Sequence, residues 1–241
     1  MRVAVMSDIH GFSLALETVL ADLATEHAAD PIAETIVAGD LCEVGPAPKE
    51  VLEQLRATTA TVLTGNTDRD LVDLAQSGWS DGEVRFALDQ IGADGVAYLA
   101  GLAFAHRVTP PGGNSPDDEL LVVHANPHDL ERKITPDLPD AQVRALLGDT
   151  RAAAISFGHH HVAFTRELDG RLLVDVSAVG NPKDGDLRCK YAIITWDEGQ
   201  RRWGAEIHRL AYPLQETAAQ IRASGLPHPE RTLRKLERAS Y

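Results

Sequence analysis

Asp8 and His10, then Asp40, Asn66, His124, and finally His159 and His161 each stand just beyond a short apolar run. The runs are Val3 to Met6, Thr35 to Ala38, Thr61 to Thr64, Leu120 to Val123 and Ala152 to Phe157. Carboxylate, carboxamide and imidazole donors without thiolate suit Mn, Fe, Zn, Ni or Co, not a soft-metal or iron–sulfur site. Seven donors exceed what one ion needs, whereas two ions about 3.5–4 Å apart with a shared carboxylate would use them all. Such a pair lowers the pKa of a bridging water and neutralises phosphate oxygens together, as in-line attack on phosphorus requires.

The elements that must position these donors follow from the same pattern. In an open α/β sheet, buried strands read as apolar runs and ligands collect beyond their carboxyl ends, so five such runs predict one convergent site. Ser13 is placed to cap a helix through about Ala28, with Leu14, Leu20 and Leu23 on its inner face. A second helix is expected from Pro46 to Arg56, and Ser80-Asp81-Gly82-Glu83 has capping-box spacing for a third through Gln90. Pro110 to Pro116 and Pro127 to Pro139 read as polar loops. Val162 to Leu168, Asp169-Gly170 and Arg171 to Val176 predict a hairpin with a primed turn. Two more strands are expected at Tyr191 to Trp196 and Trp203 to Leu210, then a helix over Pro213 to Arg222 and a basic amphipathic tail from Pro227 to Tyr241.

With 241 residues, 44% of them hydrophobic, and no linker-like stretch, the chain is expected to form a single domain over residues 1–241. Two cysteines, Cys42 and Cys189, give no disulfide framework. The N-terminus lacks the pattern of a signal peptide and no apolar stretch is long enough to span a membrane, so a cytoplasmic protein is expected. A net charge of −13 argues against tight, non-specific nucleic-acid binding, though a pair of divalent ions would reverse the local field. The oligomeric state is not encoded in any readable pattern.

The order Asp8-Ile9-His10, Gly39-Asp40 ending in Gly45-Pro46, Gly65-Asn66-Thr67-Asp68, His124 and Gly158-His159-His160-His161 resembles the calcineurin-like metallophosphoesterase superfamily. The segment Ser177 to Asp186 is similar to the post-catalytic loop of its small bacterial members. The resemblance implies an α/β fold, a four-layer αββα sandwich of two mixed β-sheets flanked by helices. It implies two divalent metal ions, with Mn favoured. Asp8, His10 and His161 would hold the first, Asn66, His124 and His159 the second, and Asp40 would bridge them. In an extended segment His159 and His161 point one way and His160 the other, which suits one imidazole per ion.

The fourth block of the family usually carries a histidine where this chain has Thr67, and in relatives that histidine helps to protonate the leaving group. A threonine hydroxyl cannot act as a strong general acid at neutral pH. Thr67, His128 and His160 are the expected substrate contacts, and Asp40, Asn66 and Asp68 the expected catalytic residues. Asp68 also has the spacing of a helix cap. Lys183, Arg188 and the tail residues Arg231, Arg234, Lys235 and Arg238 read as solvated surface. The expected function is hydrolysis of phosphodiester bonds in small, nucleotide-like phosphorylated substrates through a metal-bridging hydroxide. A phosphomonoesterase or protein Ser/Thr phosphatase, a dinucleoside polyphosphate hydrolase and a non-catalytic scaffold are the competing readings.

Overall fold

The structure, a computed structural model, describes residues 1–78 and 82–240. All five apolar runs form strands: β1 (Arg2–Met6), β2 (Glu34–Val37), β3 (Thr61–Val62), β5 (Leu120–Val123) and β6 (Ala154–Phe157). The remaining strands are β4 (Ala105–Val108), β7 (Phe164–Leu168), β8 (Arg171–Asp175), β9 (Cys189–Asp197) and β10 (Arg202–Leu210). One sheet has the order β10-β9-β1-β2-β3 and the other β4-β5-β6-β8-β7. Both are mixed: β1, β2 and β3 run parallel, as do β5, β6 and β8, while β9, β10, β4 and β7 pair antiparallel.

Side-chain alternation along the strands builds the four layers. Val3 and Val5 of β1 face inward and join Ile36, Val122, Val174 and Trp196 in a core between the sheets. Ala4 and Met6 face outward, under the helices α1 (Ser13–Ala29), α2 (Pro48–Arg56), α3 (Asn66–Ser77) and α4 (Gly82–Ala100). On the other sheet, Leu121, Ile155, Phe157 and Leu173 pack outward against Val143 and Leu147 of α5 (Asp140–Leu147). The last helices, α6 (Leu214–Ala223) and α7 (Pro229–Arg238), join the first helical layer through Ile221 and Leu233.

Several local expectations are corrected. Phe12, not Ser13, precedes α1, because the Ser13 hydroxyl is engaged by the Gln220 amide at 3.1 Å. The buried face of α1 is Ala15, Leu16, Val19 and Leu23, with Leu14 and Leu20 only half-buried. Helix α2 starts two residues later than expected. Gly45 is pressed against the backbone of His10 and Gly11, and the Ala47 N–H donates to the Gly11 carbonyl at 2.9 Å, so the chain cannot turn helical before Pro48. Ser80 and Asp81 lie outside the described residues. The helix from Gly82 runs past Gln90 to Ala100, broken at Gly92 (φ 62°). Strand β4 and helix α5 were not anticipated; β4 is short and carries His106 and Arg107 on an edge, which hides it from an apolar-run search. The Asp169-Gly170 hairpin forms as expected, with φ of 53° and 78° at its two turn residues.

Candidate metal centre

Beyond their last residues, the strands continue to exchange backbone hydrogen bonds. The Asp8 N–H donates to Gly39 O (3.0 Å), His10 N–H to Asp40 O (2.9 Å) and Gly158 N–H to His124 O (2.9 Å). These bonds bring the loop after each strand to one point between the sheets. Asp8, His10, Asp40, His159 and His161 all adopt positive φ, between 52° and 64°. Left-handed backbone at non-glycine residues is costly and clusters at functional sites, because surrounding structure must impose it.

Two donor groups result. Asp8, His10 and His161 offer ligand atoms lying within 4.8 Å of one another, and so do Asp40, His124 and His159; all six residues are buried. The Asn66 Oδ1 atom lies 3.0 Å from His124 Nε2, which adds it to the second group. Asp40 reaches both groups: Oδ2 is 3.6 Å from His10 Nε2 and Oδ1 is 3.5 Å from His124 Nε2. The structure therefore brings together all seven residues read from the sequence.

The tautomers test whether cations fit. His10 Nδ1 faces the Glu43 carbonyl at 3.1 Å, His161 Nδ1 faces the Asn181 carbonyl, His124 Nδ1 faces the Ala38 carbonyl at 2.8 Å, and His159 Nε2 faces the Glu131 carbonyl at 2.8 Å. Each of those nitrogens must carry the ring proton, leaving the other as a lone pair. The lone pairs then face each other: His10 Nε2 and His161 Nε2 at 3.2 Å, and His124 Nε2 and His159 Nδ1 at 3.1 Å. Asp8 Oδ1, buried 2.9 Å from His161 Nε2, has no hydrogen-bond donor. Lone pair against lone pair is repulsive unless positive charge sits between. The donor set fits divalent ions, one per group.

The four imidazoles divide in their ionisation. Burial disfavours imidazolium at all four, and it prevails at His159 and His161, whose pKa falls below the ordinary value. At His10 and His124, burial is outweighed by the carboxylates of Asp8 and Asp40, and the pKa rises. Without a metal, the carboxylates favour protonation at His10 and His124, and burial disfavours it at His159 and His161.

Two glycines of the motifs have steric reasons. A Cβ on Gly65 would lie 2.1 Å from Asp40 Oδ1, and one on Gly158 would lie 2.2 Å from Asp8 Oδ2. Asp68 takes the backbone N–H groups of Asp40, Leu41 and Gly65 and is fully buried. Burial and the neighbouring Asp40 charge push its pKa up to about 6, against those hydrogen bonds. It holds the Asp40 loop through these bonds and is not among the residues lining the cavity.

The cavity over the ligands has a volume of about 590 Å³. Thr67 lines it and donates its backbone N–H to Asp40 Oδ1 at 2.9 Å. His128 is not in the lining; its Nε2 faces the Leu147 carbonyl at 3.1 Å, tying the loop to the end of α5. His160 is half-buried and also outside the lining. Of the three expected substrate contacts, Thr67 lines the cavity and His128 and His160 do not. Lys183, expected on the surface, lines it instead, with a pKa lowered to about 8 by burial and by Lys133. Arg231, Arg234, Lys235 and Arg238 line it too, although they read as a solvated face. Asn181, within the Ser177 to Asp186 segment but not singled out there, lines the cavity and its carbonyl orients His161. Asn126, not singled out in the sequence, and Asp129, which read as part of a polar loop, brace the loop carrying the Glu131 carbonyl through bonds to Arg132, Glu131 and each other.

No curated protein sequence matched the chain. A metallophosphoesterase from Sphaerobacter thermophilus superposes with a TM-score of 0.76 at 25% identity, covering 99% of both chains. A hypothetical protein from Pyrococcus horikoshii superposes with a TM-score of 0.82 at 17% identity, covering 99% of this chain and 98% of its own. A putative diadenosine tetraphosphatase shares the fold with a TM-score of 0.55 at 18% identity, over 87% of this chain and 94% of its own. Among the described residues no helix is long and apolar enough to cross a membrane. The family model for the calcineurin-like phosphoesterase superfamily domain matches residues 1–199, which hold every ligand named above, and the chain belongs to that superfamily.

Proposed function

We propose that the protein is a metal-dependent phosphodiesterase acting on small, nucleotide-sized phosphorylated substrates. The observation that carries this reading is the double donor cluster with Asp40 reaching both groups, set at the floor of an open cavity. Bound there, divalent ions would supply Lewis acidity toward phosphoryl oxygens and activate water near neutral pH. Asp8, His10 and His161 would hold one ion, Asn66, His124 and His159 the other, and Asp40 both. Mn is the favoured metal, since oxygen and imidazole donors in this mixture suit it.

The chain's own residues set the preference for diesters. Thr67 stands where a proton donor would serve a poor leaving group, and its backbone N–H is already committed to Asp40. A diester with a good leaving group does not need that proton. Lys183 and Asn181, at the cavity wall, supply donors to the phosphoryl oxygens or the ester arms.

Turnover of bis(p-nitrophenyl) phosphate and p-nitrophenyl phosphate, with Mn²⁺ and with chelator, tests the reading. Metal-dependent turnover favouring the diester is expected, and Thr67→His should raise monoester turnover. Preference for the monoester in the unaltered protein would overturn the diester reading and favour a phosphomonoesterase or protein phosphatase. Turnover of dinucleoside polyphosphates alone would move the chemistry to the anhydride. No turnover, with two ions bound, would leave a scaffold.

A further inference from the structure

Helix α7 lies beyond the residues that match the family, yet it forms a wall of the cavity. Arg231, Arg234, Lys235 and Arg238 are spaced i, i+3, i+4 and i+7, so they share one helix face, and that face lines the cavity together with Lys133 and Lys183. Like charges at this spacing repel and weaken a helix. The chain carries 36 acidic and 23 basic residues, so six cations around one cavity run against its overall charge.

Glu83 and Glu43 compensate part of the wall, chiefly at Arg231 and Lys235. Arg231 pairs with Glu83 at 3.2 Å. Lys235 is partly buried, which lowers its pKa. Arg234 and Arg238 are exposed and, among the described residues, have no hydrogen bond or ion pair. The helix is nevertheless fixed in place. Leu233 and Thr232 are buried, the Thr232 hydroxyl donates to the Val44 carbonyl at 3.4 Å, and the Gly185 N–H donates to the Ala239 carbonyl at 2.9 Å. Those two loops also carry Glu43 and Asn181, whose carbonyls orient His10 and His161. The basic face is therefore registered to the ligand cluster by both of its docking loops.

A phosphate held at the ligand cluster alone would fill little of a cavity of about 590 Å³, a volume suited to a nucleotide-sized ligand. We propose that the Arg234–Arg238 face of α7 binds a second anionic group of the substrate, so that the site selects phosphoesters bearing a further phosphate apart from the scissile one. Guanidinium forks match phosphate oxygens and are always charged, which suits this role better than hydrogen-bonding amides would. The inference rests on the phosphoesterase reading above for its reaction but not for its binding component.

The test compares thymidine 5′-(p-nitrophenyl phosphate) with the same ester carrying a 3′-phosphate. The unaltered protein should prefer the phosphate-bearing ester by about tenfold or more in kcat/KM, chiefly through KM, as expected for a charge-assisted contact. The preference should fade as salt is raised. In the Arg234→Gln/Arg238→Gln double variant the ratio should fall toward one, while Arg234→Lys/Arg238→Lys should keep most of it. Far-UV circular dichroism and thermal unfolding would show that α7 remains docked. Absence of a preference in the unaltered protein, or an equal loss on both esters in the Gln variant, would overturn the proposal. Should neither ester be turned over, the phosphoesterase reading fails by itself. Calorimetric binding of thymidine 3′,5′-bisphosphate to the Mn²⁺-loaded protein then decides: weakening of about tenfold in the Gln variant supports the wall, and unchanged or absent binding overturns it.

Discussion

One oxygen of Asp68 accepts both the Asp40 N–H (2.8 Å) and the Gly65 N–H (2.9 Å), so a single carboxylate joins the loops after β2 and β3. Its other oxygen takes the Leu41 N–H at 2.9 Å. Asp68→Asn presents an amide NH₂ to N–H groups that need an acceptor, at a cost of about 1–3 kcal/mol. The variant should melt earlier and bind Mn²⁺ about tenfold more weakly by calorimetry. Unchanged metal affinity and melting would remove Asp68 from any positioning role.

Gly158→Ala should be among the most damaging small substitutions. Its methyl would lie 2.2 Å from Asp8 Oδ2, the atom that accepts the His159 N–H at 2.8 Å. Overpacking of this kind costs about 1–3 kcal/mol, and here it displaces a ligand of one group and the backbone of the other. Gly204→Ala, with nothing within 4 Å of the added methyl, is the control. Metal content should drop in the first variant alone. Equal metal content in both would contradict the steric account.

Asp129 predicts a pH-dependent loss. Burial would raise its pKa, but the N–H groups of Arg132 and Glu131, the Arg132 guanidinium and the Asn126 amide hold it well below the ordinary value. A carboxyl depressed in the folded state stabilises it above the unfolded pKa, near 4, and that contribution is lost as pH falls below it. Asp129→Ala should therefore lower the urea midpoint at pH 7, with the gap to the unaltered protein closing toward pH 3. A gap that stays constant across this range would show that the carboxylate charge is not what braces the loop.

Cys42 and Cys189 are fully buried, and burial pushes the Cys189 thiol up to about 12 and that of Cys42 well above its usual value. At pH 8 neither should react with an aromatic disulfide reagent in the folded protein. Both should react within minutes in denaturant. Rapid labelling of one thiol in the native state would reveal an opening of the loop after β2 that carries Cys42 or of the start of β9 that carries Cys189.

Metal loading should raise the thermal midpoint. Ligands that bind only the folded state stabilise it by about 2.7 kcal/mol at a hundredfold excess over Kd. Relief of the facing lone pairs of His10 and His161 is part of that gain. Addition of Mn²⁺ should raise the midpoint and chelator should reverse it. A midpoint indifferent to both would argue that no ion enters the cluster.

The cluster of seven donors was legible because each donor ends an apolar run, and a strand buried on both faces has few polar residues to confuse the reading. The Asp169-Gly170 turn was legible for a similar reason, since its two residues tolerate positive φ. That His128 and His160 lie outside the cavity lining was not legible, because residue type near a candidate ligand says nothing about which way a loop folds. His128 turned out to serve the Leu147 carbonyl. The basic tail was visible as an amphipathic helix, but its partner is a cavity assembled from loops far away in sequence. The burial of Leu233 and the docking of Thr232 on Val44 and Ala239 on Gly185 turn its charged face toward the cavity. Backbone carbonyls such as those of Glu43, Asn181 and Glu131 carry no side-chain signature at all.

Each donor group draws from both sheets. Asp8 and His10 follow a strand of one sheet and His161 a strand of the other; Asp40 comes from the first sheet, His124 and His159 from the second. An ion in either group would therefore be a rivet through the sandwich, adding to the apolar core and to the few polar contacts between the layers, such as His124 on the Ala38 carbonyl and His106 on Glu34. Sliding one sheet over the other would tear both coordination spheres at once. Shear resistance of the sandwich and readiness for chemistry are thereby one mechanical property.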